Sequence, residues 1–416
     1  MKKIAIAVLS FITASAYADD VNTTMANIQS QLNQISAELT SQTPQSNASV
    51  PFIGLDTANP LAAMSKVQMP INVLRAKNQL NNTVVIGGQI EADAQYTDGD
   101  KIPLKGGSTY QQGSDVSLSK VYLMTMVNFN DYITGLVNLK AQPANVGSSI
   151  SIERAFLMFG NLNKSPFSLM VGANYLPFGN FSGNGPWSNA LTTNMFRVST
   201  TNQVIANFSN NWLIVNTGIY SNTGVAGSSS INYLANAIAQ KTWNGIGMSF
   251  GAGYMSDVSG SNSGLGKAYG TGASGPNNLS SATNGAYDIN ASIGPAYFTL
   301  LAEYVSTVGG AMQGGHSTGV MSAWMLGEQS NFKVHDIPTK FQLSYSQTVN
   351  MNNIQMTYNA DIPSSLKTNA GIQSQWLTSI QGQFFHNVWI GPEFVTAQLY
   401  TGQNSYTGTL DVTAYF

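Results

Sequence analysis

The sequence predicts an all-β fold: a closed transmembrane outer-membrane β-barrel of about 16 antiparallel strands, preceded by a short coiled-coil-like helix. Three observations predict it. Only 9% of the 416 residues are charged although 43% are hydrophobic, apolar and polar residues alternate from Thr83 onward, and the chain begins with an export signal. Strands with one apolar face for lipid and one polar face for a lumen are typical of such barrels.

The first 18 residues are organised as a signal peptide. Lys2 and Lys3 form the charged region, residues 4–13 the apolar region, and residues 16–18 (Ala-Tyr-Ala) the cleavage site. Removal of this peptide leaves 15 basic and 19 acidic residues, a net charge of −4, which gives no indication of a nucleic-acid partner. The sequence contains no cysteine, which excludes disulfide frameworks and thiolate metal sites.

A helix is predicted over residues 19–42. Its apolar residues follow the a/d spacing of a heptad repeat: Val21, Met25, Ile28, Leu32, Ile35 and Leu39. Fewer than three heptads are marginal for an isolated coiled coil, so we expect this periplasmic helix to pair with copies of itself, as in a homotrimer, or to pack against its own barrel. Residues 43–82 contain four prolines and are predicted to be a linker.

The barrel is predicted over residues 83–416. In its first strand Ile86, Ile90 and Tyr96 share one face, while Glu91 and Asp93 share the other. Short connections alternate with long ones such as 98–114, 176–195, 257–283 and 350–370, as expected for periplasmic turns and outside loops. The predicted strands are 83–97, 115–129, 132–142, 150–161, 166–175, 196–208, 211–221, 231–242, 245–256, 284–294, 296–307, 319–331, 338–349, 371–384, 386–399 and 406–416.

The last strand carries a further signal. Leu410, Val412, Ala414 and Phe416 lie on one face, and the chain ends on the aromatic residue. This pattern resembles the C-terminal insertion signal of outer-membrane proteins. It predicts recognition by the barrel assembly machinery through Phe416, contact with outer-membrane lipid, and a location in the cell outer membrane with the N-terminal helix in the periplasm.

Alternation along the strands predicts which polar residues face the lumen. In a barrel of about 16 strands the lumen is wide enough for water, and its lining decides selectivity. Each of these residues is predicted either to line a constriction or only to solvate the wall. The predicted pore-lining residues are Glu91, Asp93, Gln95, Lys140, Arg154, Glu303 and Lys340.

The sequence gives no indication of catalysis. The three histidines, His316, His335 and His386, are predicted at a loop and at turns, and none forms a nucleophile–base arrangement. We therefore expect no enzyme, no cofactor and no metal site. Residues 98–100 (Asp-Gly-Asp) could supply oxygen ligands to calcium, although a plain turn is the favoured interpretation.

Two stretches carry a family resemblance. Residues 165–181 read SPFSLMVGANYLPFGNF, and residues 83–100 read TVVIGGQIEADAQYTDGD; with the preceding helix they resemble the LbtU-type family of siderophore porins, the legiobactin-receptor-like barrels. The family motif lies at Tyr175, Pro177, Phe178 and Gly179. The resemblance implies a barrel that takes up iron-chelating siderophores and has an N-terminal coiled-coil extension. The chain departs from the family at Ala173, Asn174, Glu153 and Arg154.

Three functions remain open from the sequence. The first is an outer-membrane porin or uptake channel for small solutes, with a ferric siderophore as the cargo that the resemblance implies. The second is a barrel that anchors surface loops for adhesion or another surface interaction. The third is an unselective general porin, which differs from the first in cargo alone.

Overall fold

The structure is a computed structural model that describes most of residues 84–415. The predicted signal peptide (1–18), helix (19–42) and linker (43–82) lie outside the described residues, as does Phe416. Within the range, the segments not described are 104–108, 111, 130–131, 143–148, 162–163, 199, 211, 222–230, 262, 270–278, 281–283, 296, 314–315, 353–370 and 386.

Strands dominate the described residues. In chain order they are β1 (Val84–Gly99), β2 (Ile102–Pro103), β3 (Thr109–Tyr110), β4 (Gly113–Asn128), β5 (Ile133–Gln142), β6 (Ser149–Phe159), β7 (Phe167–Asn174), β8 (Thr201–Ser209), β9 (Leu213–Ser221), β10 (Ile231–Trp243), β11 (Ile246–Met255), β12 (Leu279–Ser280), β13 (Ala286–Pro295), β14 (Phe298–Gln313), β15 (His316–Val334), β16 (Ile337–Val349), β17 (Ile372–Phe385), β18 (Val388–Leu399) and β19 (Asn404–Tyr415).

Sixteen long strands, all except β2, β3 and β12, form one closed antiparallel barrel. Each pairs with its neighbours in chain order, and β1 closes the ring by pairing with β4 on one side and β19 on the other. The predicted fold class is therefore confirmed. Closure matters in a membrane because it leaves no sheet edge whose backbone polar groups would face lipid without partners.

The two faces of the wall differ in polarity, as the alternation predicts. In β1, Glu91 and Asp93 are 2% and 3% exposed, whereas Ile90 and Tyr96 are 41% and 53% exposed. The same alternation recurs in β8, where Gln203 and Asn207 are buried and Val204 is exposed. The polar inner face is covered by protein, and the apolar outer face is left to lipid.

Tight turns connect strands at one end of the barrel. Asn244 and Gly245, with φ of 50° and 79°, join β10 to β11, and His335 and Asp336, with φ of 47° and 67°, join β15 to β16. Two successive residues with positive φ are characteristic of type I′ hairpins, which suit the twist of paired strands. Short connections were predicted at both places.

Two predicted boundaries are wrong. A long connection was expected between 307 and 319, yet β14 continues to Gln313 and β15 begins at His316. Register shifts between Ser306 and Met312 accommodate the additional residues within the paired strands. The strand predicted to begin at 196 begins at Thr201, because residues before it form a helix.

The two described helices are each six residues long: α1 (Leu191–Phe196) and α2 (Gly264–Tyr269). Among the described residues no helix is long and apolar enough to cross a membrane. Helix α1 lies against β14, β15 and β16, and also against α2. Both helices belong to connections that were predicted to be outside loops.

Candidate functional site

The connection between β7 and β8, residues 175–200, is here called the inward loop. It was expected to be an outside loop, but its described residues pack against the wall of the barrel. Leu176, Phe178, Leu191 and Phe196 are at most 3% exposed and belong to one apolar cluster with wall residues such as Val305. Burial of these side chains provides the main driving force that holds the loop against the wall.

The sequence of the inward loop suits a close approach to the wall. β7 ends at Asn174, and Pro177, which cannot donate a ladder hydrogen bond, follows three residues later. Gly183 has φ of +78°, and a Cβ there would lie 2.7 Å from Met325 Sδ. A Cβ on Gly185 would lie 2.0 Å from Glu393 Oε2. Only glycine fits at these two positions without displacing a neighbour.

Two buried carboxylates of the wall bind the backbone of the inward loop. Glu303 Oε1 of β14 accepts the N–H groups of Asn180 and Phe181, at 2.8 and 2.7 Å. Glu393 of β18 accepts the N–H of Trp187 at 3.0 Å through Oε2 and that of Ser188 at 2.9 Å through Oε1. Each carboxyl group thus accepts hydrogen bonds from two successive N–H groups of the loop, and these contacts fix the path of the loop.

Further wall residues complete the attachment. Ser344 Oγ of β16 donates to Gly183 O at 2.8 Å, and Ser346 Oγ of the same strand accepts the N–H of Leu191 at 3.1 Å. Gln375 Nε2 of β17 donates to a loop carbonyl, Asn189 O, at 3.0 Å. The inward loop thus forms hydrogen bonds with β14, β16, β17 and β18.

A second segment, residues 256–269, packs beside the inward loop. Tyr220 Oη donates to Asp257 O at 2.7 Å and accepts the N–H of Asp257 at 3.1 Å. Val258 and Leu265 are fully buried in the cluster that contains Leu191 and Phe196. This connection was predicted to be a Gly-rich outside loop, and its described part instead reinforces the packing of α1.

Charged and aromatic residues meet where the inward loop leaves β7. Both Arg154 and Arg197 lie over the ring of Tyr175, each 5.9 Å from its centroid. Tyr175 Oη donates to Glu153 Oε1, and burial raises the pKa of Tyr175, which keeps this phenol protonated. A register shift in the β5–β6 pairing leaves Glu153 unpaired, so Glu153 and Arg154 both reach Tyr175.

The charged wall residues that contact the inward loop differ in the sign of their charge from one strand to another. Glu303 and Arg154 belong to β14 and β6, which lie seven strands apart in the ring of sixteen, so opposite charges occur on nearly opposite parts of the wall. Such an arrangement produces a field across the lumen. Exposure also differs: the Lys120 side chain is 27% exposed, whereas Glu303 and Glu393 are 3% and 1% exposed.

Two lysines of the inner wall lie beside aromatic rings. Lys120 of β4 donates to Pro186 O at 3.2 Å and lies 5.8 Å from the centre of the Trp187 ring. Lys140 of β5 lies 5.8 Å from the centre of the Tyr122 ring. All four side chains are half-buried. Lysine and aromatic side chains therefore lie together beside β4 and β5, and Lys120 also forms an ion pair with Glu91.

The predicted residues are placed as follows. Glu91, Asp93, Gln95, Arg154 and Glu303 are buried, and alternation puts all five on the inner face, with Arg154 and Glu303 in contact with the inward loop. Lys140 has the same orientation and is half-buried, while Lys340 lies 4.4 Å from the centre of the Trp389 ring. The motif residues Tyr175, Pro177, Phe178 and Gly179 begin the inward loop.

Sequence reasoning missed Lys120, Trp187, Glu393 and Asp411. Glu393 and Asp411 had a usable signal, since each is an acidic residue at an inner-face position of an otherwise apolar or neutral strand. Lys120 precedes a segment in which both faces are apolar, so its orientation was ambiguous. Only the path of the inward loop brings Trp187 to the wall.

The Asp-Gly-Asp turn uses its carboxylates for backbone contacts. Asp98 Oδ1 accepts the N–H of Gly99 at 2.7 Å, and Asp100 Oδ2 accepts the N–H of Asn404 at 2.8 Å. Asn404 begins β19, so Asp100 also links this turn to the last strand.

Comparison with known proteins gives a family and a fold. A family model described as "Protein of unknown function (DUF3573)" matches residues 45–281, more than half of the chain. A segment of 103 residues is 32% identical to a UPF0422 protein of Coxiella burnetii (strain RSA 493 / Nine Mile phase I). That segment is 24% of this chain and 20% of the relative, so the match spans only a fifth of the relative's length.

Solved outer-membrane channels have a similar fold. The outer membrane channel DcaP of Acinetobacter baumannii aligns with a TM-score of 0.53 at 13% identity, over 80% of this chain and 97% of that one. An anion-selective porin from Comamonas acidovorans aligns with a TM-score of 0.50 at 9% identity, over 80% and 99%. The chain has the barrel fold of outer-membrane porins. The specific resemblance to LbtU-type siderophore porins stays a prediction.

Proposed function

We propose that this chain, which belongs to the DUF3573 family, forms an outer-membrane channel through which small polar solutes cross, with a preference for anionic ones. The observation that carries the proposal is the inward loop, which buried groups of β14, β16, β17 and β18 hold against the inner wall. A barrel that serves only as an anchor for surface loops has no need of such a constriction.

The expected preference for anions follows from the exposure of the charges. The carboxylates nearest the inward loop, Glu303 and Glu393, are buried and bound to backbone N–H groups. Lys120 forms an ion pair with the buried Glu91 but remains 27% exposed itself, and Lys140 is half-buried beside Tyr122. A permeating solute therefore meets positive charge more directly than negative charge, and field effects in a narrow, partly desolvated passage are strong.

A ferric siderophore is the finer proposal for the cargo. It rests on the resemblance of the Tyr175–Gly179 motif and is supported by the chemistry of the accessible wall. An iron chelate with net negative charge and flat conjugated groups would find lysines and aromatic rings together at Lys120, Trp187, Tyr122 and Lys140.

Planar-bilayer recordings test the channel directly. Purified protein in a KCl gradient is expected to conduct. The sign of its reversal potential is expected to show that chloride permeates more readily than potassium. Lys120→Gln is expected to move that potential toward zero because it removes an exposed charge from the passage. Lys164→Gln is the matched control, since Lys164 lies in the turn between β6 and β7, over the Tyr132 ring. Absence of conductance would remove the proposal, and equal effects of the two variants would remove its electrostatic part.

Growth experiments test the cargo. A strain that lacks the protein is expected to grow more slowly on a ferric siderophore under iron limitation, and Lys120→Gln is expected to restore growth less well than the wild-type chain. Undiminished growth of the deletion strain, together with normal conductance of the purified protein, would leave a general porin in place of a siderophore channel.

A further inference from the structure

We propose that Glu91, Asp93 and Asp411, here called the seam cluster, bind one divalent metal ion of the calcium type where the first and last strands close the barrel. The sequence predicted no metal site, because Glu91 and Asp93 lie in β1 whereas Asp411 lies in β19, near the other end of the chain. Barrel closure is what brings them together.

The geometry suits one ion held by three carboxylates. Asp93 is directly opposite Asp411 in the β1–β19 register, and Glu91 precedes Asp93 by two residues on the same inner face. One carboxylate oxygen from each residue lies within 4.8 Å of the other two. Calcium binds oxygen at about 2.3–2.6 Å, so ligands on opposite sides of the ion are about 5 Å apart. In the described part of the chain, no other group of three metal-ligating side chains is this close.

Charge balance also favours a divalent cation. Glu91, Asp93 and Asp411 are 2%, 3% and 0% exposed, and Lys120 forms an ion pair with Glu91. With all three carboxylates ionised beside the one ammonium group, the cluster would carry a net charge of −2. Like charges directly opposite in a strand pair are destabilising, and buried charge without compensation is costly. One divalent cation would neutralise the cluster.

The carboxylate of Asp93 provides the independent observation. Glu91 accepts hydrogen bonds from Gln89 and Ser119, and Asp411 accepts them from Gln381 and Thr413. By contrast, neither oxygen of Asp93 accepts a hydrogen bond from any described residue. Buried carboxylates normally have donors, so a nearly fully buried carboxylate that lies within the cluster and lacks a donor indicates a ligand that the protein itself does not supply.

An ion at this position would have a structural role beyond the proposed transport. It would connect β1 to β19 through side chains, in addition to the backbone ladder, at the one place where the two ends of the barrel sequence pair. It would also cancel negative potential beside Lys120, which donates to the inward loop at Pro186 O. The site therefore does not depend on which solute passes through the channel.

The experiment uses the full-length protein extracted from membranes, stripped with EDTA and then equilibrated with calcium alone. Bound metal is measured by mass spectrometry, and terbium is titrated in with calcium as the competitor. Barrel stability is measured in parallel as the temperature at which the folded band is lost in SDS electrophoresis. Asp93→Asn removes a ligand, while Asp288→Asn is the matched control, since Asp288 is a buried acidic residue of β13 outside the seam cluster.

About one calcium per chain is expected for the wild type and for Asp288→Asn, with a lower transition temperature after EDTA. Asp93→Asn is expected to bind terbium at least about tenfold more weakly and to lose the effect of EDTA. A wild-type barrel that binds neither calcium nor terbium, and whose transition temperature EDTA leaves unchanged, would overturn the proposal and indicate that Asp93 and Asp411 share a proton instead. This wild-type measurement remains decisive even if Asp93→Asn does not fold, and it is independent of conductance.

Discussion

The attachment of the inward loop to Glu393 makes a quantitative prediction. Glu393 is 1% exposed and accepts backbone N–H groups through both oxygens, at 3.0 Å from Trp187 and 2.9 Å from Ser188. Glu393→Gln replaces one carboxyl oxygen with an NH₂ group, so a hydrogen-bond donor of the side chain would face a backbone N–H donor of the loop. At least one hydrogen bond is lost, and a buried N–H group left without an acceptor costs about 1–3 kcal/mol. Since 1.4 kcal/mol is tenfold, the loop should leave the wall about five to one hundred times more often.

Single-channel recording is the first assay for this change. Displacement of the inward loop widens the passage, so Glu393→Gln is expected to spend more time at higher conductance than the wild type. Glu328→Gln is the matched control, because the same chemical change there affects a side chain that bonds to Ser330. Its described contacts do not include the inward loop.

Thiol labelling measures the same event independently. The chain has no cysteine, so Ser188→Cys places one reporter at a position that is 1% exposed in the attached loop. Glu393→Gln is expected to raise its labelling rate by about the same factor as the loop equilibrium shifts. If conductance and labelling both match those of Glu328→Gln, Glu393 does not hold the loop and the reasoning is refuted.

Two further predictions concern the backbone of the loop and the N-terminal helix. Gly185→Ala is expected to displace the loop as Glu393→Gln does, because the new Cβ would lie 2.0 Å from Glu393 Oε2. It should therefore raise the labelling rate of the Ser188→Cys reporter. Gly247→Ala is the control, since its Cβ would meet nothing closer than 3.5 Å, and the reporter should then be labelled at the wild-type rate. Deletion of residues 19–42 is expected to convert an oligomer into monomers in detergent, as measured by light scattering, and an unchanged mass would exclude self-association through this helix.

Much of the barrel could be predicted because each strand carries its own evidence. In β1, apolar Ile90 and Tyr96 occupy one face, and acidic Glu91 and Asp93 occupy the other. This alternation predicts which face points to lipid and which to the lumen, in agreement with the observed exposure. The boundary errors occur where tertiary pairing decides. Strands β14 and β15 extend through glycine-containing segments because each supplies the hydrogen-bond partners of the other, a long-range effect that a single segment does not reveal.

The candidate site could be predicted only in part. Alternation identified inner-face residues such as Arg154 and Glu303, but not their contacts, since these depend on a connection that turns into the barrel. Phe178, Phe181 and Phe196 were a clue, because a loop exposed to water has little reason to carry three phenylalanines that end up at most 2% exposed. The requirement for glycine at positions 183 and 185 is explained only by the close approach of Met325 and Glu393.

The sequence by itself determined the fold class and the two faces of the wall. Both follow from local rules, namely the period of two along a strand and the requirement that a membrane barrel expose apolar residues to lipid. The tertiary structure alone decided that residues 175–200 fold against the inner wall, and that Glu91, Asp93 and Asp411 meet at the seam. Both depend on closure of the ring, which brings residues that are far apart in the chain within bonding distance. Such contacts produce no periodic pattern in the sequence of either segment.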